Sequence, residues 1–424
     1  MFGHYSHTGF GVVTESLGRE FVARGVDVRV LAVNHRGEPV RGPLAGRVWP
    51  ANMFGDGFGG NLSSKAIDGS LWTQLDGDDD WRPDQVLVVA DMSGFQGHIG
   101  KVTPPWLSLP VWHYCPIEGD NLPVSWRDIW NQPGHLPDGT ILGGPFRPVA
   151  MSRYGQRVIT EHIGREVPFI YHGVDSETFR PASVAHPLPY KGQRLSTKEA
   201  CKAALGFPSS AKIVLRTDRH VPRKFYHSLF TAMIPVMAAD PDVVLLIHCR
   251  PTDEGGNLLE ELARMPRNLW PRVKFTNAHD TWRGLPTDEL VVLINAADVY
   301  ATTTSGEGFG LTIAEALACE VPVVSTGWAA EVEVVGPGGI LVPPLRDVYG
   351  DTVTYHSTYG MDWAVPDWRG FVDPLLALLN KPSRRREFGR AGRRHVVNSF
   401  RWPDAADQFM TLFDSASVSA EVAA

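Results

Sequence analysis

Two glutamates with seven residues between them, Glu307 and Glu315, stand in the run Ser305-Gly306-Glu307-Gly308-Phe309-Gly310-Leu311-Thr312-Ile313-Ala314-Glu315. The segment just upstream, 299–304, is β-branched and aromatic and predicts a strand, while the residues after the glycines predict an amphipathic helix ending near Glu320. A strand, a glycine turn and a helix start thus meet here. Gly308 and Gly310 let backbone approach a ligand closely, and the free amides at the helix entry, with the positive end of its dipole, suit a diphosphate. Glu307 falls on the turn and Glu315 about two helical turns further on, within reach of another part of the same ligand. The pair points to one carboxylate for each end of a nucleotide sugar.

The elements that must position these residues alternate along the chain, as in parallel α/β domains. In the first half a helix is predicted over 10–24, with apolar Phe10, Val13, Leu17 and Phe21 and a stop at Gly25. Strands are predicted at 26–33, 86–89 and 148–151, and with only Met1 to His4 before the first glycine turn the opening strand is either short or lacks upstream residues. In the second half Ser196-Thr197-Lys198-Glu199 reads as a capping box for a helix through Leu205. Strands follow at 211–215, 243–248, 273–276, 298–303, 321–325 and 340–342, with a helix over 224–239. Pro181, Pro187, Pro189 and Gly192 mark a linker. The expected domains are 1–180, a linker at 181–195, 196–400, and a last helix over 401–424.

The chain has 424 residues, enough for two cores, and 43% hydrophobic with 21% charged residues gives both a normal interior. A formal charge of -7 argues against a surface built mainly for nucleic acid or anionic lipid. The four cysteines, Cys115, Cys201, Cys249 and Cys319, show neither a paired nor a metal-ligand spacing. Asp78-Asp79-Asp80 reads as a solvated turn rather than a metal site. No signal peptide or spanning apolar run is visible, so a cytoplasmic protein is expected, with peripheral membrane contact left open.

The run from Ser305 to Glu315, continued by Cys319-Glu320-Val321-Pro322-Val323-Val324, resembles the Glu-x7-Glu signature of the retaining, nucleotide-sugar-dependent glycosyltransferases, a family that includes glycogen synthases and bacterial mannosyltransferases. The resemblance implies the GT-B fold: two Rossmann-like domains facing each other across a cleft, with a C-terminal helix crossing back to the first. It implies that Glu307 contacts the donor sugar and Glu315 the ribose hydroxyls, with Gly308, Phe309, Gly310 and Leu311 at the donor. Arg219 and Lys224, five residues apart after the first strand of the second half, match the family's pair that grips the donor diphosphate. Fixed cations of this kind would neutralise a departing diphosphate without a metal. Arg223, between them, reads as surface. The loop Thr8-Gly9-Phe10-Gly11 resembles the family's glycine loop beside the donor, which implies donor contact by Gly9 and Phe10, although Thr8 replaces the first glycine of the commoner form.

His113 follows Leu109-Pro110-Val111-Trp112 at the carboxyl end of a strand, where open α/β sheets place ligands. Family members often have a histidine there near the reacting face, which implies a catalytic role; a hydrogen-bonded core histidine is the other reading. Glu118 and Asp120 are candidates for acceptor contact, and Tyr171-His172-Gly173-Val174-Asp175 resembles a structural phrase of the family. The implied activity is metal-independent transfer of a hexose from a UDP- or GDP-sugar to an acceptor hydroxyl, with no cofactor. The acceptor stays open among glycan, lipid, protein and modified nucleobase. A sugar-nucleotide epimerase or phosphorylase of the same architecture, or a non-catalytic scaffold, are the alternatives.

Overall fold

The computed structural model of the protein describes residues 1–6, 8–51, 60–78, 80–99, 109–131, 134–135, 141–142, 146–276 and 285–423. The chain divides into two compact units. Met1–Ile117, Asn121–Gly173 and Trp402–Ala424 form the first, and Glu118–Asp120 with Val174–Arg401 form the second. Each is a Rossmann-like α/β unit built on a six-stranded sheet.

In the first unit the strands of the six-stranded sheet are β1 (Phe2–His4), β2 (Val30–Val33), β3 (Val48–Pro50), β4 (Val86–Val89), β5 (Val111–Cys115) and β6 (Phe146–Ala150). All pair in parallel, in the order β3-β2-β1-β4-β5-β6. The short opening strand is therefore central, flanked by β2 and β4. Its Gly3 is packed so closely that a Cβ would lie 2.5 Å from Thr14 Oγ1, which lets helix α1 (Gly9–Ala23) settle onto the sheet. Val13, Leu17 and Phe21 form the buried stripe of α1, and Gly25 ends it with φ of 82°. The C-terminal helix (Trp402–Ala423) belongs to this unit: Arg24 pairs with Asp407 at 2.7 Å and Phe21 meets Phe409 edge to face. Asp78 pairs with Arg29, and Asp79 lies outside the described residues.

The second unit begins with an antiparallel hairpin, β7 (Leu188–Tyr190) and β8 (Gln193–Leu195). The segment expected as a linker is thus partly ordered sheet. Lys191 (φ 46°) and Gly192 (φ 80°) make its tight turn, so the Pro/Gly signal that suggested a linker marks a hairpin instead. The boundary between units also falls earlier than expected, after Gly173. Thr197, not Ser196, caps the next helix, with its hydroxyl accepting from the Ala200 N–H.

The second sheet contains β9 (Lys212–Arg216), β10 (Val243–Ile247), β11 (Val273–Phe275), β12 (Val299–Thr302), β13 (Val323–Thr326) and β14 (Gly339–Val342). Their order, β11-β10-β9-β12-β13-β14, repeats the order of the first sheet, again all parallel. The strands are near-continuous apolar runs because helices cover the sheet. Val214, Leu245, Ile247, Ala301 and Val324 share one core with Phe230 and Met233 of helix α2 (Tyr226–Ala239) and with Phe371 and Leu375. Each such side chain, fully buried, contributes about 1.5–3 kcal/mol. That core is the rigid base from which the loops at the carboxyl ends of β9, β12 and β13 project.

Candidate active site

Strands β9 and β12 are parallel neighbours, with Val214 opposite Val299 and Leu215 opposite Tyr300. Both therefore release their following loops at the same edge, the carboxyl edge, where open parallel sheets bind ligands. The loop after β9 passes Asp218 and Arg219, then tightens into a 3-10 turn (Pro222–Lys224). Phe225, at φ 43°, reverses the chain into α2. The loop after β12 runs through Thr303 to Gly306 before Glu307. The Ser305 N–H donates to the Arg223 carbonyl at 2.8 Å, locking the two loops together.

Six charged groups meet there. Lys224 Nζ donates to Asp218 Oδ1 at 2.9 Å and to Glu307 Oε1. Arg223 reaches Glu307 Oε2 at 3.0 Å, Glu118 Oε1 at 2.9 Å and the Gly306 carbonyl at 2.9 Å. Arg216, wholly buried, donates to Asp218 Oδ2 at 3.1 Å, to Thr303 Oγ1 and to the Lys224 carbonyl. The Thr302 and Thr312 hydroxyls also donate to the Asp218 carboxylate, at 3.0 and 3.2 Å. Burial opposes the charged form of Glu307, but Arg223 and Lys224 outweigh it and hold the carboxyl below its ordinary range. Asp218 follows the same logic: burial opposes its charge, and Lys224 with Arg216 pull it well down. For Arg223, burial is likewise outweighed, here by Glu118 and Glu307. Three cations and three carboxylates thus keep their charges out of water by pairing.

Glu315 lies on helix α3 (Leu311–Ala318), buried, and differs in kind. Among the described residues no cation pairs with it, and burial pushes its carboxyl up to about 8. Gly310 caps α3 with φ of 101°. Gly306 (φ 157°) is the glycine that close packing demands, since a Cβ would lie 1.9 Å from the Glu118 carbonyl.

The expected site residues are thus partly assembled. Glu307 and Lys224 are in direct contact, and Gly308, Phe309, Gly310 and Leu311 lead from that contact into α3 toward Glu315. The ring of Phe309 is spent on the core, edge to face with Phe400 at 5.1 Å. Arg219 stands outside the cluster, half-exposed, bound to Asp253 at 2.9 Å and to Glu254 at 2.7 Å. Gly9 and Phe10 belong to the first unit, at the head of α1, where Phe10 lies against His4.

His113 fits its core alternative: it is fully buried, stacked on Phe95 at 3.9 Å, with Nε2 at 3.1 Å from the Ala90 carbonyl and Nδ1 accepting from Trp130 Nε1 at 3.1 Å. Both ring nitrogens are occupied, and burial lowers its pKa to about 3, so it is a neutral core residue. Arg223, read as surface, is a partly buried member of the charge cluster. Asp218 was missed altogether. Its one signal was a short acid two residues beyond a strand that ends in arginine. Asp120 exchanges backbone hydrogen bonds with Asp362, at 3.0 and 2.9 Å. His172 is buried against Tyr114, whose hydroxyl lies 2.8 Å from its Nδ1, in keeping with a structural role.

Two Rossmann-like units with parallel sheets of this order define the fold of the GT-B glycosyltransferases. A solved structure of sucrose-phosphate synthase from Thermosynechococcus elongatus superposes over 99% of this chain and 96% of its own, with a TM-score of 0.65 at 19% identity. Residues 211–349, which span β9 to β14 and hold Asp218, Arg223, Lys224, Glu307 and Glu315, match the glycosyl transferases group 1 family model. Among curated proteins it is 28% identical over 285 residues to a D-inositol 3-phosphate glycosyltransferase of Segniliparus rotundus, covering 66% of this chain and 54% of the relative. It is 29% identical over 271 residues to a GDP-mannose-dependent monoacylated alpha-(1-6)-phosphatidylinositol monomannoside mannosyltransferase of Corynebacterium glutamicum, covering 62% and 58%. The chain spans little more than half the length of these two relatives.

Proposed function

We propose that the protein is a retaining glycosyltransferase that moves a hexose from a nucleoside-diphosphate sugar to an acceptor hydroxyl, without a metal or other cofactor. The observation that carries this reading is the contact of Lys224 and Arg223 with Glu307 at the carboxyl ends of β9 and β12, with a desolvated Glu315 on the helix that follows. Lys224, with Arg219 nearer the surface, meets the donor diphosphate. Glu307, ionised and held from two sides, faces the sugar. Glu315 takes the ribose hydroxyls: ionised, its carboxylate accepts from them, and protonated it can also donate one hydrogen bond.

In the reaction the bond from the anomeric carbon to the diphosphate oxygen breaks, and its electron pair leaves with the diphosphate. The acceptor oxygen forms its bond on the same face, and its proton passes to the departing diphosphate. The protein's share is to bind charge as it develops on the diphosphate and on the sugar ring. That one relative is named a GDP-mannose-dependent mannosyltransferase supports a nucleotide-sugar donor, with GDP- and UDP-sugars as the first candidates.

A thermal-shift panel of UDP, GDP and ADP sugars tests the donor: a ligand at about a hundred times its dissociation constant adds roughly 2.7 kcal/mol. One nucleotide series should stabilise the protein and the others should not. Indifference to all three would remove the donor assignment. Product analysis with and without an acceptor separates transfer from epimerisation, because an epimerase alters the nucleotide sugar alone.

A further inference from the structure

Glu331 opens the short helix α4 (Glu331–Val335), just past the carboxyl end of β13. Its side chain is completely buried. Oε2 accepts the backbone N–H of Glu307 at 3.1 Å, and Oε1 has no hydrogen-bond partner among the described residues. The Glu307 carbonyl in turn receives the Ala330 N–H at 3.4 Å, so the head of α4 holds both backbone groups of Glu307. Ala329 delivers the chain to this point at φ 50°, a conformation that non-glycine residues rarely adopt.

Two buried carboxyl groups this close cannot both be ionised cheaply. Arg223 and Lys224 both pair with Glu307, and among the described residues no cation pairs with Glu331. Glu307 therefore keeps its charge and Glu331 gives its up. We propose that Glu331 is a positioning residue for Glu307: an uncharged carboxyl group whose oxygen fixes the backbone of the turn that presents the Glu307 carboxylate to the donor. This rests on the reading of Glu307 as the sugar-facing carboxylate. Burial, and then the Glu307 charge, push the Glu331 carboxyl well above its usual range, in agreement with the uncharged form.

Nothing in the family resemblance singled out Glu331. What the geometry adds is a reason for an acid in a place where it bears no charge. The carbonyl oxygen of a neutral carboxyl accepts an N–H, as a glutamine amide also does, and an aliphatic side chain does not. Glutamine is therefore the faithful substitute and leucine the broken one.

The test compares Glu331→Gln and Glu331→Leu in the full chain, by amide hydrogen exchange at residues 303–310 and by kcat and donor KM. Glu331→Gln should keep the exchange rate of the Glu307 amide and kcat within about threefold of the starting protein. Glu331→Leu should speed that exchange, and lower kcat, by about tenfold or more while donor KM moves less than about threefold, the size expected for a buried hydrogen bond left unmade. Glu331→Gln as impaired as a lost hydrogen bond requires, or Glu331→Leu with both readouts unchanged, overturns the proposal. If Glu331→Leu does not fold, the glutamine variant alone decides it. The exchange arm needs no turnover, so it stands or falls separately from the glycosyltransferase reading.

Discussion

The two units repeat one strand order yet treat buried ionisable groups in opposite ways. In the first unit, burial strips charge: His113 and His172 fall to about 3, the Met1 amino group falls to about 5, and the Cys115 thiol is pushed up. Their polar atoms are satisfied by neutral partners, the Ala90 carbonyl, Trp130 Nε1 and the Tyr114 hydroxyl. In the second unit, Arg216, Asp218, Arg223, Lys224 and Glu307 keep their charges by neutralising one another. A buried charge is expensive unless paired, and a fold has cheaper ways to stabilise itself. Retaining such a cluster at the carboxyl edge of a sheet supports the proposal that the second unit takes the charged donor.

The largest effect should follow from removing the shared cation. Lys224→Met leaves Asp218 and Glu307 facing each other without the ammonium between them, and breaking a buried pair costs about 3–5 kcal/mol. Loss of stability in urea and loss of at least about thirtyfold in transfer rate are expected together, by about 1.4 kcal/mol per decade. Unfolding midpoints unchanged from the starting protein would mean the cluster is not energetically joined. The matching change in the first unit, His113→Ala, should cost about 2–4 kcal/mol through the lost Phe95 stack and the two stranded polar groups. Molecules that remain folded should keep their kcat/KM. A hundredfold fall in kcat with full stability would return His113 to the site.

Glu315 offers a pH test of the same contrast, because it behaves like a first-unit residue inside the second. Its folded pKa, about 8, lies above the ordinary carboxyl value of 4.5. Between those values the folded state binds the proton and the unfolded state releases it, so this group's contribution to stability declines as pH rises from about 4.5 to 8 and then levels off. Glu315→Gln, which cannot ionise, should gain on the starting protein across that window, by up to ~4 kcal/mol. Chemical denaturation at pH 5, 6.5 and 8 measures it, and a constant difference would show that Glu315 is ionised throughout. If ribose hydroxyls bind its charged form, nucleotide binding should also release protons near pH 7.

Much of this was legible beforehand, for physical reasons that also explain what was not. The apolar runs of β9 to β13 are so uniform that their existence and parallel class are plain, while their ends slip by a residue or two because local composition does not record where a ladder stops. The 181–195 segment was misread because a hairpin turn and a linker draw on the same Pro and Gly. Glu307 was singled out by its place on the glycine turn after a strand, and Lys224 by the resemblance to the family's basic pair. Arg223 was not, because its burial depends on the 3-10 turn and the left-handed Phe225, which bring two consecutive basic side chains onto one carboxylate. His113 shows the converse: expected at a strand end, it sits in the middle of β5, and the cover supplied by Phe95 and Trp130 comes from distant segments that carry no mark in the local pattern.

The smallest effect on stability should come from Arg219, the one proposed donor contact that water already reaches. Its pairs with Asp253 and Glu254 are surface salt bridges, worth about 0–1 kcal/mol and screened by salt. Arg219→Ala should therefore leave the unfolding midpoint nearly unchanged. If the guanidinium turns from those acids to the diphosphate, nucleotide affinity should still fall about tenfold, since a hydrogen bond to a charged group is worth about 1.5–3 kcal/mol. Raising ionic strength should weaken binding to the starting protein more than to the variant. Calorimetric titration of the same nucleotide into both, at low and high salt, measures this, and equal affinities would confine Arg219 to the surface and leave the diphosphate to the buried cluster alone.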